Sequence, residues 1–231
     1  METIAQALQQ VMRRIALANA AAGRPPGAVA LLAVSKTQPA EAVRGAFAAG
    51  QRAFGENYVQ EALAKIEALA DLRPQLEWHL IGPLQSNKTR AVAEAFDWVH
   101  GVDRLKIAQR LAEQRPAWLP PLNLCLQVNV SGEASKSGVD PAELPALARA
   151  VAALPRERVR LRGLMSIPEP AGGPEAQRAP HRRLRELLDA LNSEGLELDT
   201  LSMGMSADLE AAVAEGSTLV RVGTAIFGAR G

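Results

Sequence analysis

Eight times along this chain an apolar, strand-length run gives way to a helix-like pattern. No other feature restricts its fold as tightly. The strand candidates are Val29–Ser35, Arg52–Glu56, Glu77–Ile81, Trp98–Val102, Leu122–Val130, Val159–Ile167, Thr200–Met203 and Leu219–Val222. The helical patterns between them cover Pro39–Ala49, Tyr58–Leu69, Asn87–Phe96, Arg104–Gln114, Pro141–Ala153, His181–Asn192 and Ala207–Ala214. A short helical turn, Gly223–Gly228, follows the last strand, and a Pro/Gly-rich loop, Pro168–Pro174, precedes the helix at His181. Apolar runs such as Val29–Ser35 do not alternate, which is the signature of strands buried on both faces of a parallel sheet. Strict βα alternation calls for parallel strands joined by right-handed crossovers. Eight such units in 231 residues predict an α/β fold, a single (β/α)8 TIM barrel spanning residues 1–231. Residues 3–22 add an N-terminal amphipathic helix with Ile4, Leu8, Val11, Ile15 and Leu17–Ala18 on its apolar face, stopped by Gly23-Arg-Pro-Pro-Gly27. An open doubly wound sheet would want a Gly-rich turn after the first strand, and Ser35-Lys-Thr-Gln-Pro39 is not one.

The bulk composition excludes several functions. Net charge is +1 and aromatics make up 3%, so neither nucleic acid nor an anionic membrane is an expected partner. The N-terminus lacks a basic segment followed by an apolar one, and no apolar run is long enough to span a bilayer. The single cysteine, Cys125, lies in the apolar run Leu122–Val130 and reads as a small core residue. A cytoplasmic location is expected.

In a barrel of this kind the functional face is the carboxyl end of the strands. The first strand ends at Lys36 and the second at Glu56-Asn57. The third carries His79 and runs out to Lys88, the fifth ends at Asn129-Val-Ser131 with Lys136 beyond, and the sixth ends at Met165-Ser166. The seventh opens into Ser202-Met-Gly-Met-Ser206, and the eighth carries Arg221 and ends at Gly223-Thr224. A lysine at a buried strand end either snorkels to solvent or, desolvated, becomes a nucleophile toward aldehydes. Ser206 suits the N-cap of the helix opening at Ala207, and Gly223 permits close backbone approach. Helix N-termini after the last two strands form a common phosphate site in barrels. Strands eight and one adjoin in a closed barrel, so Lys36, Arg221 and these loops would converge. A ligand with an aldehyde, an aromatic nitrogen and a phosphate would bridge them, and pyridoxal 5′-phosphate (PLP) is such a ligand. Arg221 only donates hydrogen bonds, so it would leave a pyridine nitrogen unprotonated.

Six motifs carry a resemblance. Ala33-Val-Ser-Lys-Thr37, Phe54-Gly-Glu-Asn-Tyr58, Trp78-His-Leu-Ile-Gly-Pro-Leu-Gln-Ser-Asn-Lys88, Gly163-Leu-Met-Ser166, Leu201-Ser-Met-Gly-Met-Ser-Ala-Asp208 and Arg221-Val-Gly-Thr-Ala-Ile-Phe-Gly228 resemble the pyridoxal phosphate homeostasis protein family, in order and over nearly the whole chain. The resemblance implies a barrel like the N-terminal domain of alanine racemase, with PLP held as a Schiff base on Lys36. It implies Asn57 beside the ring, Met205 among the cofactor-binding residues, Ser206, Gly223 and Thr224 at the phosphate, Arg221 at the pyridine nitrogen, and supporting roles for His79 and Ser166. Lys88 and Lys136 are secondary or transfer lysines, or simply exposed ones.

A PLP-binding protein that buffers the cofactor or passes it to PLP-dependent apo-enzymes is the expected function. The alternative is a PLP-dependent racemase or lyase. Two-base racemisation needs a second proton-transfer group, which alanine racemases take from a separate β-domain. The chain ends at Gly231 directly after the barrel, and its single tyrosine is Tyr58, so catalysis by that route is not expected. A Schiff-base aldolase is a further alternative, which the resemblance opposes. A monomer is expected, with Trp118 and Leu119 as a possible contact surface.

Overall fold

The structure is a computed structural model that describes residues 3–132 and 137–228. Lys136 lies outside the described residues. Eight strands pair in sequence order and close into a barrel: β1 (Ala30–Val34), β2 (Ala53–Glu56), β3 (Glu77–Leu80), β4 (Trp98–Val102), β5 (Leu122–Gln127), β6 (Val159–Met165), β7 (Thr200–Ser202) and β8 (Leu219–Val222). Every pairing is parallel, and β8 returns to β1 with Arg221 opposite Leu32 and Val222 opposite Ala33. The (β/α)8 expectation therefore holds.

The helices are α1 (Ile4–Ala21), α2 (Ala40–Ala48), α3 (Val59–Ala68), α4 (Thr89–Ala95), α5 (Leu105–Gln114), α6 (Leu144–Ala152), α7 (Pro174–Ser193), α8 (Leu209–Ala214) and α9 (Thr224–Phe227). α1 opens on a capping box between Thr3 and Gln6. It buries Leu8, Val11, Ile15 and Ala18, but Leu17 is exposed and does not belong to its apolar face. α7 starts well before His181 and carries Pro180 inside it. Pro174 fits the first helical turn, where no backbone donor is needed. Burial of His181, Leu184, Leu188 and Leu191 secures the helix beyond the Pro180 break.

Successive residues of each strand point to opposite faces of the sheet. Leu31 and Ala33 of β1 join the layer between sheet and helices, with Val43 and Ala46 of α2. Leu32 and Val34 turn inward against Ile81 and Leu219. Trp98, Cys125 and Met165 form another small apolar cluster, and burial pushes the Cys125 thiol up to about 12. Among these apolar groups the barrel also buries His79, His100, Ser202 and Arg221. No helix among the described residues is long and apolar enough to cross a membrane.

Leu32 is fully buried in a small cluster that cannot collapse without moving the β8–β1 seam. Leu32→Ala is expected to lower stability by about 2–5 kcal/mol, read from the midpoint of urea unfolding.

Candidate functional site

The end of β1 is fixed from below by buried charge. Lys65 projects from the inner face of α3, and its Nζ donates to the Ser35 carbonyl at 2.7 Å and to Glu56 Oε1 at 2.6 Å. Ser35 Oγ donates to the same Glu56 oxygen at 2.6 Å. Burial raises the Glu56 carboxyl above its ordinary range, although Lys65 and Ser35 pull the other way. Thr37 takes a left-handed backbone with φ 64°, and its N–H donates to Glu61 Oε1 at 2.5 Å. Lys36 thus stands between two anchored residues. Its own amine has no hydrogen bond or ion pair among the described residues, and the side chain is half-buried.

Lys36 opens into a cleft at the β8–β1 seam, together with Thr37, Gln38, Gly223, Thr224 and Phe227. Closure of the barrel makes these neighbours, as the strand order required. A Cβ on Gly223 would lie 3.0 Å from the Val34 carbonyl oxygen, so the close passage of this turn past β1 suits glycine.

The loop after β7 is built differently from the sequence expectation. Ser206 does not cap α8: the helix begins at Leu209, and Asp208 precedes it without making a side-chain cap bond. Asp208 instead accepts from the Met205 N–H at 2.7 Å and from His181 Nε2 at 2.9 Å. Burial pushes its carboxyl up, but these hydrogen bonds and the nearby charges outweigh it, and the net shift is downward. The Ser206 carbonyl accepts from Arg14 Nη1 at 2.8 Å, and the same guanidinium grips Glu210 through two 2.6 Å contacts. α1 therefore holds the loop that carries Met205 and Ser206.

Arg221 lies beneath the seam. Its Nη1 donates to the Ser202 carbonyl at 2.6 Å and to Ser202 Oγ at 2.8 Å, and its Nη2 to the Ser166 carbonyl at 2.8 Å. A guanidinium has five N–H donors, so Nε–H and one Nη2–H remain without a protein acceptor among the described residues. Burial lowers its pKa to about 10, where it is still cationic at neutral pH. Two further polar atoms, Ser166 Oγ and Asn57 Oδ1, are buried without a partner among the described residues. Gly82 sets the Asn57 backbone, because a Cβ at Gly82 would fall 2.2 Å from the Asn57 carbonyl oxygen.

His79 sits lower than the sequence suggested. Its Nδ1 meets His100 Nε2 at 2.9 Å and its Nε2 meets Glu77 Oε1 at 2.7 Å, so neither ring nitrogen is free for a ligand. Lys88 ends a short 3-10 turn, Ser86–Lys88, ahead of α4 and does not line the seam cleft. Trp118 is 84% exposed, in the loop between α5 and β5 that leads into the amino end of that strand. Lys65, Glu56, Glu61, His100, Asp208, His181 and Arg14 carry much of this architecture. Only the chain's strand order and contacts reveal them.

Comparison with known proteins locates the chain. The sequence pattern of the alanine racemase N-terminal domain matches residues 6–231. A protein of Pseudomonas aeruginosa named pyridoxal phosphate homeostasis protein is 67% identical over 100% of this chain and 97% of its own length. The chain belongs to the pyridoxal phosphate homeostasis protein family. A member of that name from Escherichia coli (strain K12) is 56% identical over 100% of this chain and 98% of its length. PipY of Synechococcus elongatus, solved with PLP bound, superposes with a TM-score of 0.85 at 43% identity, over 98% of this chain and 100% of its own. Alanine racemase from Corynebacterium glutamicum shares the fold, with a TM-score of 0.67 at 20% identity over 95% of this chain and 60% of its own.

The Lys65–Glu56 pair yields a test of how the β1 end is held. Lys65→Met leaves a buried carboxylate without its cation, and stability at neutral pH should fall by about 3–5 kcal/mol. The Glu56 carboxyl, already raised, then rises further, so the folded protein takes up a proton that the unfolded chain releases. The deficit should accordingly shrink as pH falls through the raised Glu56 value, measured as urea midpoints of parent and variant across that range.

Proposed function

We propose that this protein binds PLP at the mouth of the barrel and serves intracellular PLP homeostasis, buffering the cofactor or supplying it to PLP-dependent apo-enzymes. The chain would work as one barrel unit, a monomer in the cytoplasm. The observation that carries the proposal is the β8–β1 seam: an unpartnered lysine amine shares one cleft with the Gly223–Thr224 turn, above a buried arginine with donors to spare. The naming of full-length relatives and the PLP held by PipY support it.

The residues present fit that ligand. Arg221 would offer unused N–H donors to a ring nitrogen, the Ser166 hydroxyl would donate to a ring oxygen, and Asn57 Oδ1 would accept from a ring hydroxyl. Gly223, Thr224 and Ser206 would offer backbone and hydroxyl donors to a phosphate, while the Met205 N–H is already given to Asp208. PLP supplies an aldehyde for covalent capture. Lys36 Nζ adds to its carbon, loss of water leaves a C=N link, and hydrolysis reverses the step with no change in oxidation state. Reversibility is what storage and delivery require. Arg221, as a fixed cation that only donates, keeps the ring nitrogen unprotonated and the ring a weak electron sink. His79 contributes from below the site, through His100. Apart from Lys36, no acid–base side chain among the described residues lines the seam cleft, and holding rather than turnover is the proposed activity; Tyr58, more than half exposed at the start of α3, does not line it either.

The purified protein with PLP is expected to show a visible absorption band, and borohydride reduction followed by peptide mapping should place the label on Lys36. Lys36→Ala should weaken binding by about tenfold or more. A protein that stays colourless with added PLP, or a label elsewhere, would refute the assignment, and turnover in a racemase or lyase screen would refute the non-catalytic role.

A further inference from the structure

A column of hydrogen bonds runs through the barrel interior from the start of β3 to Arg221. Glu77 Oε1 meets His79 Nε2 at 2.7 Å, His79 Nδ1 meets His100 Nε2 at 2.9 Å, and His100 Nδ1 meets Ser202 Oγ at 2.8 Å. Ser202 Oγ in turn accepts from Arg221 Nη1 at 2.8 Å. The four residues come from three strands, β3, β4 and β7, and the column ends on β8. His79 and His100 are almost wholly buried, whereas the Glu77 side chain is about half exposed at the opposite end of the barrel from the seam cleft.

The chemistry of the two ends sets the direction of every bond between them. Arg221 only donates, and an ionised Glu77 only accepts. With both rings neutral, one assignment makes each contact a donor–acceptor pair. Ser202 O–H donates to His100 Nδ1, His100 Nε2–H donates to His79 Nδ1, and His79 Nε2–H donates to Glu77. Burial, with the Arg221 cation nearby, holds the His100 pKa well below the ordinary range and so keeps that ring neutral. The bond from His79 and the charge of Arg162 hold Glu77 ionised. Around the column, the Cys125 thiol of β5 is neutral, Arg162 of β6 stacks over Trp98 at 4.9 Å, and Asp208 faces Arg221 from the loop after β7. A chain of bonds polarised in one direction strengthens each member, and this one ends on an anion.

We propose that Glu77, His79, His100 and Ser202 are positioning residues for Arg221, a one-directional relay through which a carboxylate at the amino end of the barrel fixes the guanidinium that faces the PLP ring nitrogen. The inference rests on the PLP reading of the site. It makes a half-exposed glutamate, three side chains away from Arg221, a determinant of cofactor affinity and electronic state.

Two measurements test it. The nitrogen NMR shifts of cofactor-free protein should report both His79 and His100 as neutral Nε2–H tautomers near neutral pH. A Nδ1–H tautomer at His100 or an imidazolium at His79 would overturn the relay, whether or not PLP binds. In the PLP-loaded protein, Glu77→Gln should weaken binding about three- to tenfold and move the pH midpoint of the visible band down by about half a unit. Ser202→Ala, which cuts the last link, should act in the same direction. The double variant should then be no worse than Ser202→Ala alone, because both changes interrupt one chain. Additive effects, or a Glu77→Gln protein with unchanged affinity and midpoint, would overturn the proposal. A merely structural role for Glu77 would lower the melting temperature and leave the midpoint in place. A parent protein that takes up no PLP would instead sink the reading of the site, while the nitrogen shifts still decide the direction of the column.

Discussion

The pairing of β8 with β1 is the contact on which everything else depends. It converts a row of βα units into a closed cylinder and, in the same step, sets Lys36 beside Gly223 and Thr224. These residues are far apart in sequence. Parallel pairing in register, with Ala33 opposite Val222, places the two strand ends at one height. A one-residue slip of β8 against β1 would turn Arg221 from the interior to the helix layer. The inward cluster of Leu32, Val34, Ile81 and Leu219 opposes such a slip, so the apolar packing and the polar site specify the same register.

Burying an arginine inside a barrel is costly, and the structure shows how the cost is offset. Arg221 is 4% exposed, and burial depresses its pKa without making it neutral. Two backbone carbonyls and a hydroxyl receive its donors. The Lys65–Glu56 pair is the second investment of buried charge, with Ser35 as its shared partner. Replacing the whole Lys65–Glu56 pair with well-packed apolar side chains is often neutral or better for stability, whereas removing one partner alone is costly. Arg221 and this pair instead bracket the end of β1 and the floor of the seam, where rigid placement of a few atoms matters more than net stability.

Much of this was legible in the chain. The βα alternation determined the barrel because eight buried strands admit few other closures. Lys36, Gly223 and Arg221 were legible because polar or glycine residues break apolar runs at strand ends. What escaped reading depends on tertiary contact. Lys65 looks like an ordinary helix lysine, and only the packing of α3 turns it inward to Glu56. His100 lies in a short strand whose bulge against β5 decides which side chains face inward. Ser206 has the residue type and the spacing of an N-cap, yet Asp208 is drawn to His181 and the Met205 N–H, and the helix starts later. Pro180 signals a break that burial along α7 overrides.

The N-terminal helix shows why an addition outside the eight units matters. Its apolar face covers the barrel near α8 and α9, and Arg14 reaches from it to Glu210 and to the Ser206 carbonyl. The Glu210 pair is largely exposed and contributes little to stability by itself. The bond to the Ser206 carbonyl is different in kind, since it fixes the backbone of a loop with no helix cap to hold it. Asp208 grips that loop from the other side through Met205. The loop after β7 thus keeps its form by side chains from α1 and α7 and its own Asp208, whereas the turn after β8 is held by its own short helix. A mouth built from one intrinsically ordered turn and one externally tethered loop can loosen on a single side. That asymmetry suits a site whose proposed task is to let its ligand go.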